Sequence, residues 1–296
     1  MLKYGNLCHS HKVKENKVEY TDIPSHLFKN GSLVVRVGTS GYYFNWWRVW
    51  YNCHQKEWFN KYSSNFSCVE INSTHYGTKS SATYERWNEM AKKKGITFSV
   101  KLNRYASHMK WLKSPESWWD KAYKEYSRLG DSLECILIQL PPRFKRYSVK
   151  GEDRLETLRK LAQFVPKGVR LVFEFRSMDW YEEDVYDVLR ENNWCLAIIH
   201  LVNHLNSKGK MWMGNMSSGW SPRIYTADFT YYRLHGNTSQ YKGKYGENFL
   251  CVEVTHHIST SGRKDNFVMF NNTDDFGPDG IPSAISDGII TQELFK

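Results

Sequence analysis

The amino-acid sequence predicts an α/β protein, a closed (β/α)8 barrel of the TIM type, from three observations. Eight short apolar runs recur along the chain, helix signals separate them, and polar residues appear with period two where the runs end. The runs are Leu33 to Val37, Cys68 to Ile71, Ile96 to Leu102, Cys135 to Leu140, Val169 to Phe175, Trp194 to Ile199, Phe229 to Leu234 and Phe267 to Phe270. Their starts lie 25 to 39 residues apart, room for a strand, a helix and two loops. An open doubly wound sheet competes, but no Gly-x-Gly-x-x-Gly follows the first run and no Walker loop occurs.

Residues 1 to 32 are Lys-rich and weakly patterned, an N-terminal extension with at most one helix; residues 33 to 296 form the barrel as a single domain. Cys8, His9 and His11 in that extension resemble a fragment of a metal site and are read as incidental. Ser80 is placed to cap a helix whose Tyr84, Trp87 and Ala91 share a face and which stops at Gly95. Ser114 and Pro115 open a second helix that stops at Gly130. Leu155, Leu158, Leu161, Ala162 and Val165 make a third apolar stripe, and Tyr181, Val185, Val188 and Leu189 a fourth. The stretch from Asn203 to Asp228, rich in Gly, Ser, Met and Trp, is expected to be a long loop serving as a lid.

The 296 residues include 41 Lys and Arg against 31 Asp and Glu, a net charge of +10. The excess is local: residues 92 to 146 hold 13 basic and 5 acidic side chains. Such a sector can face a polyanion or simply be a solvated surface. A 41% hydrophobic content closes a core and excludes a wholly disordered chain. No apolar stretch is long enough to span a membrane and the first residues lack a signal-peptide core, so the expectation is a cytoplasmic protein with no membrane partner. Six scattered cysteines without a Cys-x-x-Cys pair speak against a zinc ribbon or a disulfide framework, and most should be reduced and buried.

Barrel strands are buried on both faces and should be apolar throughout. Here Glu70 and Asn72, Lys101 and Asn103, Glu174 and Arg176, and Arg233 and His235 each share one face at a strand's C-terminal end. Gln139, His200, Asn271 and Asn272 end other runs. Buried ion pairs are poor devices for stability alone, and these positions form the mouth of a barrel, where sites of this fold gather. A satisfied polar plug is the structural alternative. Glu70, Lys101, Glu174, Arg176, Arg233 and His235 are predicted to converge on one pocket.

At these residues the sequence resembles the YecE-like family, the domain of unknown function 72, from about Val34 to about Glu293. The resemblance rests on Val37-Gly38-Thr39-Ser40-Gly41 with Trp46 and Trp47, Val69-Glu70-Ile71-Asn72-Ser73-Thr74 with Tyr76, and Ser99-Val100-Lys101 with His108. It continues through Gln139-Leu140-Pro141-Pro142-Arg143-Phe144, Phe173-Glu174-Phe175-Arg176 with Trp180, Tyr232-Arg233-Leu234-His235-Gly236 with Tyr241 and Tyr245, and Phe270-Asn271-Asn272. It implies a TIM-type barrel and assigns no activity. His75 stands where the family more often has an aromatic, and the run after Val202 lacks the family's short Pro-containing loop.

Three chemistries fit these residues. In the first, an enzyme acts on an anionic, phosphate-bearing substrate, a small molecule or a nucleic acid. Glu70 and Glu174 are base and acid, His108 and His235 move protons, and Lys101, Arg176 and Arg233 meet negative charge. Asn72, Tyr76, Gln139, Trp180, Asn271, Asn272 and Trp46 would complete the substrate contacts. In the second, Lys101 forms a Schiff base with a carbonyl compound such as a sugar phosphate, its amine activated by cationic neighbours. A salt bridge from Lys101 to Glu70 or Glu174 is the structural alternative. The third is a nucleic-acid-binding module without catalysis, with Trp46, Trp47 and Tyr76 stacking on bases and Trp118 and Trp119 packing on the barrel exterior. Glu70, His108, Glu174, His200 and His235 are the residues a divalent metal would use. With no His-x-His or His-Glu-x-x-His among them, no metal ligand is assigned and the cofactor stays open.

Overall fold

The computed structural model describes residues 33–205 and 209–296, so the extension over 1–32 and its Cys8, His9 and His11 lie outside the described residues. All eight predicted runs form strands. They are β1 (Val34–Thr39), β2 (Cys68–Ile71), β3 (Thr97–Lys101), β4 (Leu133–Gln139), β5 (Leu171–Glu174), β6 (Cys195–Leu196), β7 (Ile198–Leu201), β9 (Phe229–Leu234) and β10 (Asp265–Phe270). The sixth run is split in two, and a short β8 (Gly219–Trp220) is added.

The strands form two five-stranded sheets, β2-β3-β4-β5-β6 and β1-β10-β9-β7-β8, parallel throughout except for β8 on β7. One segment belongs to both. Cys195 and Leu196 pair with β5, whereas Ile198 to His200 pair with β9, so the chain from 195 to 201 carries one sheet into the other. At the opposite seam, between β1 and β2, no backbone ladder forms among the described residues. A side chain takes its place: Thr39 N donates to the Tyr62 hydroxyl (2.9 Å), which donates to Cys68 O (3.0 Å). The strands nearly touch there, since a Cβ on Gly38 would lie 2.2 Å from Cys68 O. The expected strands thus form two parallel sheets joined by a shared segment on one side and by side-chain hydrogen bonds on the other, with no continuous eight-strand ladder among the described residues.

Period two sorts the strands into two buried faces. Cys135 and Leu137, Val172, Ala197 and Ile199, Phe229 and Tyr231, and Phe267 and Met269 pack with one another in the interior. Their alternates Ile136 and Ile138, Phe173, Leu196 and Ile198, Tyr232, and Val268 and Phe270 pack in a second core with the helices. The helices follow the predicted signals closely. Ser80 Oγ accepts from Thr83 N (3.3 Å) at the start of helix Ser81–Lys94, and Gly95 ends it in the left-handed conformation. Helix Leu155–Ala162 buries Leu155, Leu158 and Leu161 of the third stripe and helix Glu183–Glu191 buries Val185, Val188 and Leu189 of the fourth, whereas Val165 and Tyr181 lie beyond the helices and are partly buried. The helix expected between Ser114 and Gly130 is broken instead. Ser114 has φ +52° and caps nothing, and α-helical geometry is confined to Trp119–Tyr126 between two 3-10 turns. Trp118 and Trp119 are buried with the helices, as expected.

Candidate active site

Followed along each strand, the interior face changes from apolar to charged. Tyr231 leads to Arg233 and His235, Val172 to Glu174 and Arg176, Leu137 to Gln139, Ser99 to Lys101, and Met269 to Asn271. All of these polar side chains are buried. The predicted convergence follows from that shared parity.

Arg233 is the hub. Its Nε and Nη2 bind the Glu70 carboxylate in bidentate fashion (2.9 and 2.6 Å), its Nη1 binds Glu174, and Nη2 also lies 3.4 Å from Ser40 Oγ. Arg176 Nε donates to the other Glu174 oxygen (2.8 Å), and the Tyr231 hydroxyl donates to Glu70 (2.8 Å) while touching Ser99 Oγ at 2.8 Å. Burial pushes both carboxyl pKa values up, but the Arg233 charge together with the other cations and hydrogen bonds outweighs it, so Glu70 is held below the usual range and Glu174 well below. Both carboxylates are thus ionised partners of guanidinium groups. Near neutrality neither carboxyl holds a proton, and each would have to loosen its guanidinium pairing to exchange one with a ligand.

Lys101 is placed differently. Its Nζ donates to Gln139 Oε1 (2.7 Å), and no carboxylate of the described residues lies within salt-bridge distance. Burial, with Arg233 and Arg176 nearby, brings its pKa down to about 7. The structural alternative of a Lys101 salt bridge does not occur. Two imidazoles interact with its charge. His75, at the end of the short helix Ser73–Tyr76, donates Nδ1–H to Leu102 O (2.8 Å). His108, on the π-helical turn Tyr105–Met109, packs edge-on against His75 at 4.7 Å. Burial lowers His75 to about 4 and His108 to about 3, so both are neutral. His235 is neutral too, brought to about 4 by burial. Asn271 Nδ2 donates to its Nδ1 (2.8 Å), which leaves the proton on Nε2, 3.6 Å from Glu174.

Other predicted residues separate from this cluster. Trp180 is fully buried, stacked between Phe144 and Phe175 with its indole N–H on Phe144 O (2.8 Å), so it presents no face to a substrate and is corrected to a core residue. Asn272 points away from the mouth and ties Gly243 O to the Asp287 carboxylate (2.9 and 2.8 Å), a bracing role in place of a binding one. His200 lies on the helix-facing side of its strand among Trp220, Tyr245 and Phe249. Asn72 Nδ2 donates to Ser40 O (3.0 Å) across the β1 and β2 seam. Trp46 is half-exposed with its N–H on Thr273 O (2.8 Å), whereas Trp47 is buried. Tyr76 is exposed. Among the described residues no three His, Cys, Asp or Glu side chains are grouped to hold a metal ion, and Glu70 and Glu174 are taken by Arg233, so the residues present do not fit a metal centre.

Sequence reasoning missed Tyr231 and Ser99, which extend the same period-two faces one step inward, as well as His75 and Trp212. The lid expectation also changes. Trp212, Met213 and Met216 are buried, Trp212 lies against Arg176 (5.6 Å) and His235 (5.9 Å), and a Cβ on Gly214 (φ +65°) would lie 2.6 Å from Arg176 O. Trp212, Met213 and Met216 thus pack as part of the wall of the site, whereas Leu205 and Met211 of the same segment are exposed. Beside the cluster opens a cleft of about 450 Å³, lined in part by His75, Tyr76, Asn103, Arg104 and Tyr105.

Parallel strands covered by helices, with a charged cluster at the strands' C-terminal ends, define an α/β protein of the TIM-barrel-like class. The chain belongs to the family described as "Protein of unknown function DUF72", whose model matches residues 36–282. A solved DUF72 family protein from Enterococcus faecalis is similar with a TM-score of 0.66 and 14% identity, covering 88% of this chain and 95% of that one. D-psicose 3-epimerase from Clostridium cellulolyticum, solved with D-tagatose, is similar with a TM-score of 0.50 and 16% identity, covering 88% and 96%. At these identities the likeness is one of fold. No curated protein matches the chain in sequence.

Proposed function

We propose that this protein is an enzyme in which Lys101 acts as an amine nucleophile or base on a carbonyl compound that carries an anionic group. The observation that carries the reading is the Lys101 amine itself: buried, hydrogen-bonded among the described residues only to the neutral Gln139, and lowered to about 7, where a large share is unprotonated at neutral pH. Attack of the Nζ lone pair on the carbonyl carbon would move the C=O pair to oxygen, and loss of water from the carbinolamine would leave an iminium. One amine proton passes to that oxygen as the carbinolamine forms and a second proton, drawn from solvent, lets the hydroxyl leave as water, while His75 and His108, lowered to about 4 and about 3, stay neutral. The anionic requirement follows from charge. Lys101, Arg176 and Arg233 face only Glu70 and Glu174, so the cluster is one positive charge in excess when Lys101 or its iminium is charged, and Arg176 has one edge of its guanidinium left over from Glu174.

The test is reductive trapping. Limiting pyridoxal 5′-phosphate with cyanoborohydride should modify Lys101 ahead of surface lysines such as Lys92, with half-maximal labelling near pH 7, and neutral pyridoxal should label it more slowly. Peptide mass analysis that finds Lys101 unmodified while surface lysines react would overturn the reading.

A further inference from the structure

The cleft beside the cluster carries a feature the Lys101 reading does not use. Tyr76 is 74% exposed and Tyr105 is 45% exposed, although aromatic rings of this size are ordinarily covered, and both line the same cleft. Arg104 and Lys121 line it as well, against one carboxylate, Glu125. The inner wall is polar. The Asn103 Oδ1 accepts from Ala106 N (3.0 Å) while its side chain also hydrogen-bonds the Tyr126 hydroxyl, and His75, fixed as the Nδ1–H tautomer by Leu102 O, keeps a lone pair on Nε2. Asn103 follows Lys101 by two residues at the end of β3, so the wall of the cleft continues the strand that carries the amine.

From this juxtaposition we propose that the cleft binds a planar heteroaromatic anion, of the chemical class of a nucleoside monophosphate. The ring stacks on Tyr76 and Tyr105, its edge meets Asn103 and His75, and its phosphate meets Arg104 and Lys121. Exposed rings with cations in one cleft suit a heteroaromatic anion, whereas a sugar phosphate alone would leave both rings bare. The proposal deepens the Lys101 reading, on which it rests for catalysis, by naming the part of the substrate held outside the cluster. The binding itself is independent of Lys101.

The experiment is titration calorimetry of the whole protein with the four common nucleoside 5′-monophosphates, and with ribose 5-phosphate as the ring-free control. At least one nucleotide should bind and ribose 5-phosphate should bind tenfold more weakly or not at all. Tyr76→Ala should weaken the nucleotide fivefold or more with an unchanged circular dichroism spectrum, because the side chain is exposed, and Glu125→Gln should tighten it. The trapping experiment on the wild-type protein separates the two readings: absence of the Lys101 adduct with retained nucleotide binding overturns only the amine chemistry. Absence of binding by all four nucleotides at millimolar concentration, or binding insensitive to Tyr76→Ala, would overturn the cleft proposal.

Discussion

A lysine buried beside two arginines is unfavourable in its charged form, and the consequence can be measured at a single residue. In an unfolded chain the Lys101 amine titrates near ~10.4; in the folded protein it titrates at about 7 because of burial, Arg233 and Arg176. Between those values the unfolded state binds the extra proton, so this residue makes stability rise with pH across that window. Lys101→Met removes the effect. The stability of the variant relative to wild type should be greatest at pH 7 and below and should shrink towards pH 10, with a slope of at most ~1.4 kcal/mol per pH unit. Urea unfolding at several pH values checks this, and a difference that does not change with pH would place the Lys101 amine at its ordinary value. The charged residues of the cluster were legible in the sequence because Glu, Lys and Arg are anomalous in an apolar run. Tyr231 and Ser99 were not, since neither residue type is out of place in a strand. Trp180 misled for the converse reason: an aromatic just past a strand end has the same appearance in sequence whether it meets a ligand or, as here, stacks on Phe144 and Phe175.

At the scale of elements, the Tyr62 hydroxyl bridges β1 and β2, with the Asn72 to Ser40 hydrogen bond beside it. Tyr62→Phe keeps the ring but leaves Thr39 N without its acceptor and Cys68 O without its donor in a buried place. The expected loss is about 1–3 kcal/mol of unfolding free energy. Unchanged denaturant midpoints in the Phe variant would show that the seam does not need the bridge. The strands themselves were readable from short apolar runs, and the helices from caps and stripes. Which parity of each strand faces the interior was not readable, because both faces are buried and both are apolar along most of their length. That is why His200 stood beside His235 among the residues a metal would use, although only His235 shares a face with Arg233 and reaches Glu174.

For the whole molecule, the far end of the strands has its own charge network. Arg36 binds Glu134 (3.2 Å) and Asp265, and Arg170 binds Glu134 (3.4 Å) and Asp265 (2.7 Å), so residues of β1 and β10 are tied to residues of β4 and the start of β5 across the two sheets. These side chains keep some contact with water, so Asp265→Asn should lower stability by only about 1 kcal/mol at low ionic strength, and by less in high salt. Thermal melts of the variant and wild type at two salt concentrations test this, and a loss that grows with salt would contradict it. The basic sector divides in the same spatial way. Lys92, Lys93 and Lys94 occupy the last turn of helix Ser81–Lys94, where cations complement the helix dipole, while Arg104 and Lys121 line the cleft. The sequence by itself determined the order of strands and helices, the location of the charged strand ends and the family resemblance, because period, capping and motif are local properties of the chain. Only the tertiary structure decided that Arg233 occupies both carboxylates while Lys101 has none, since that pairing is set by distances between residues 59 to 163 positions apart in sequence.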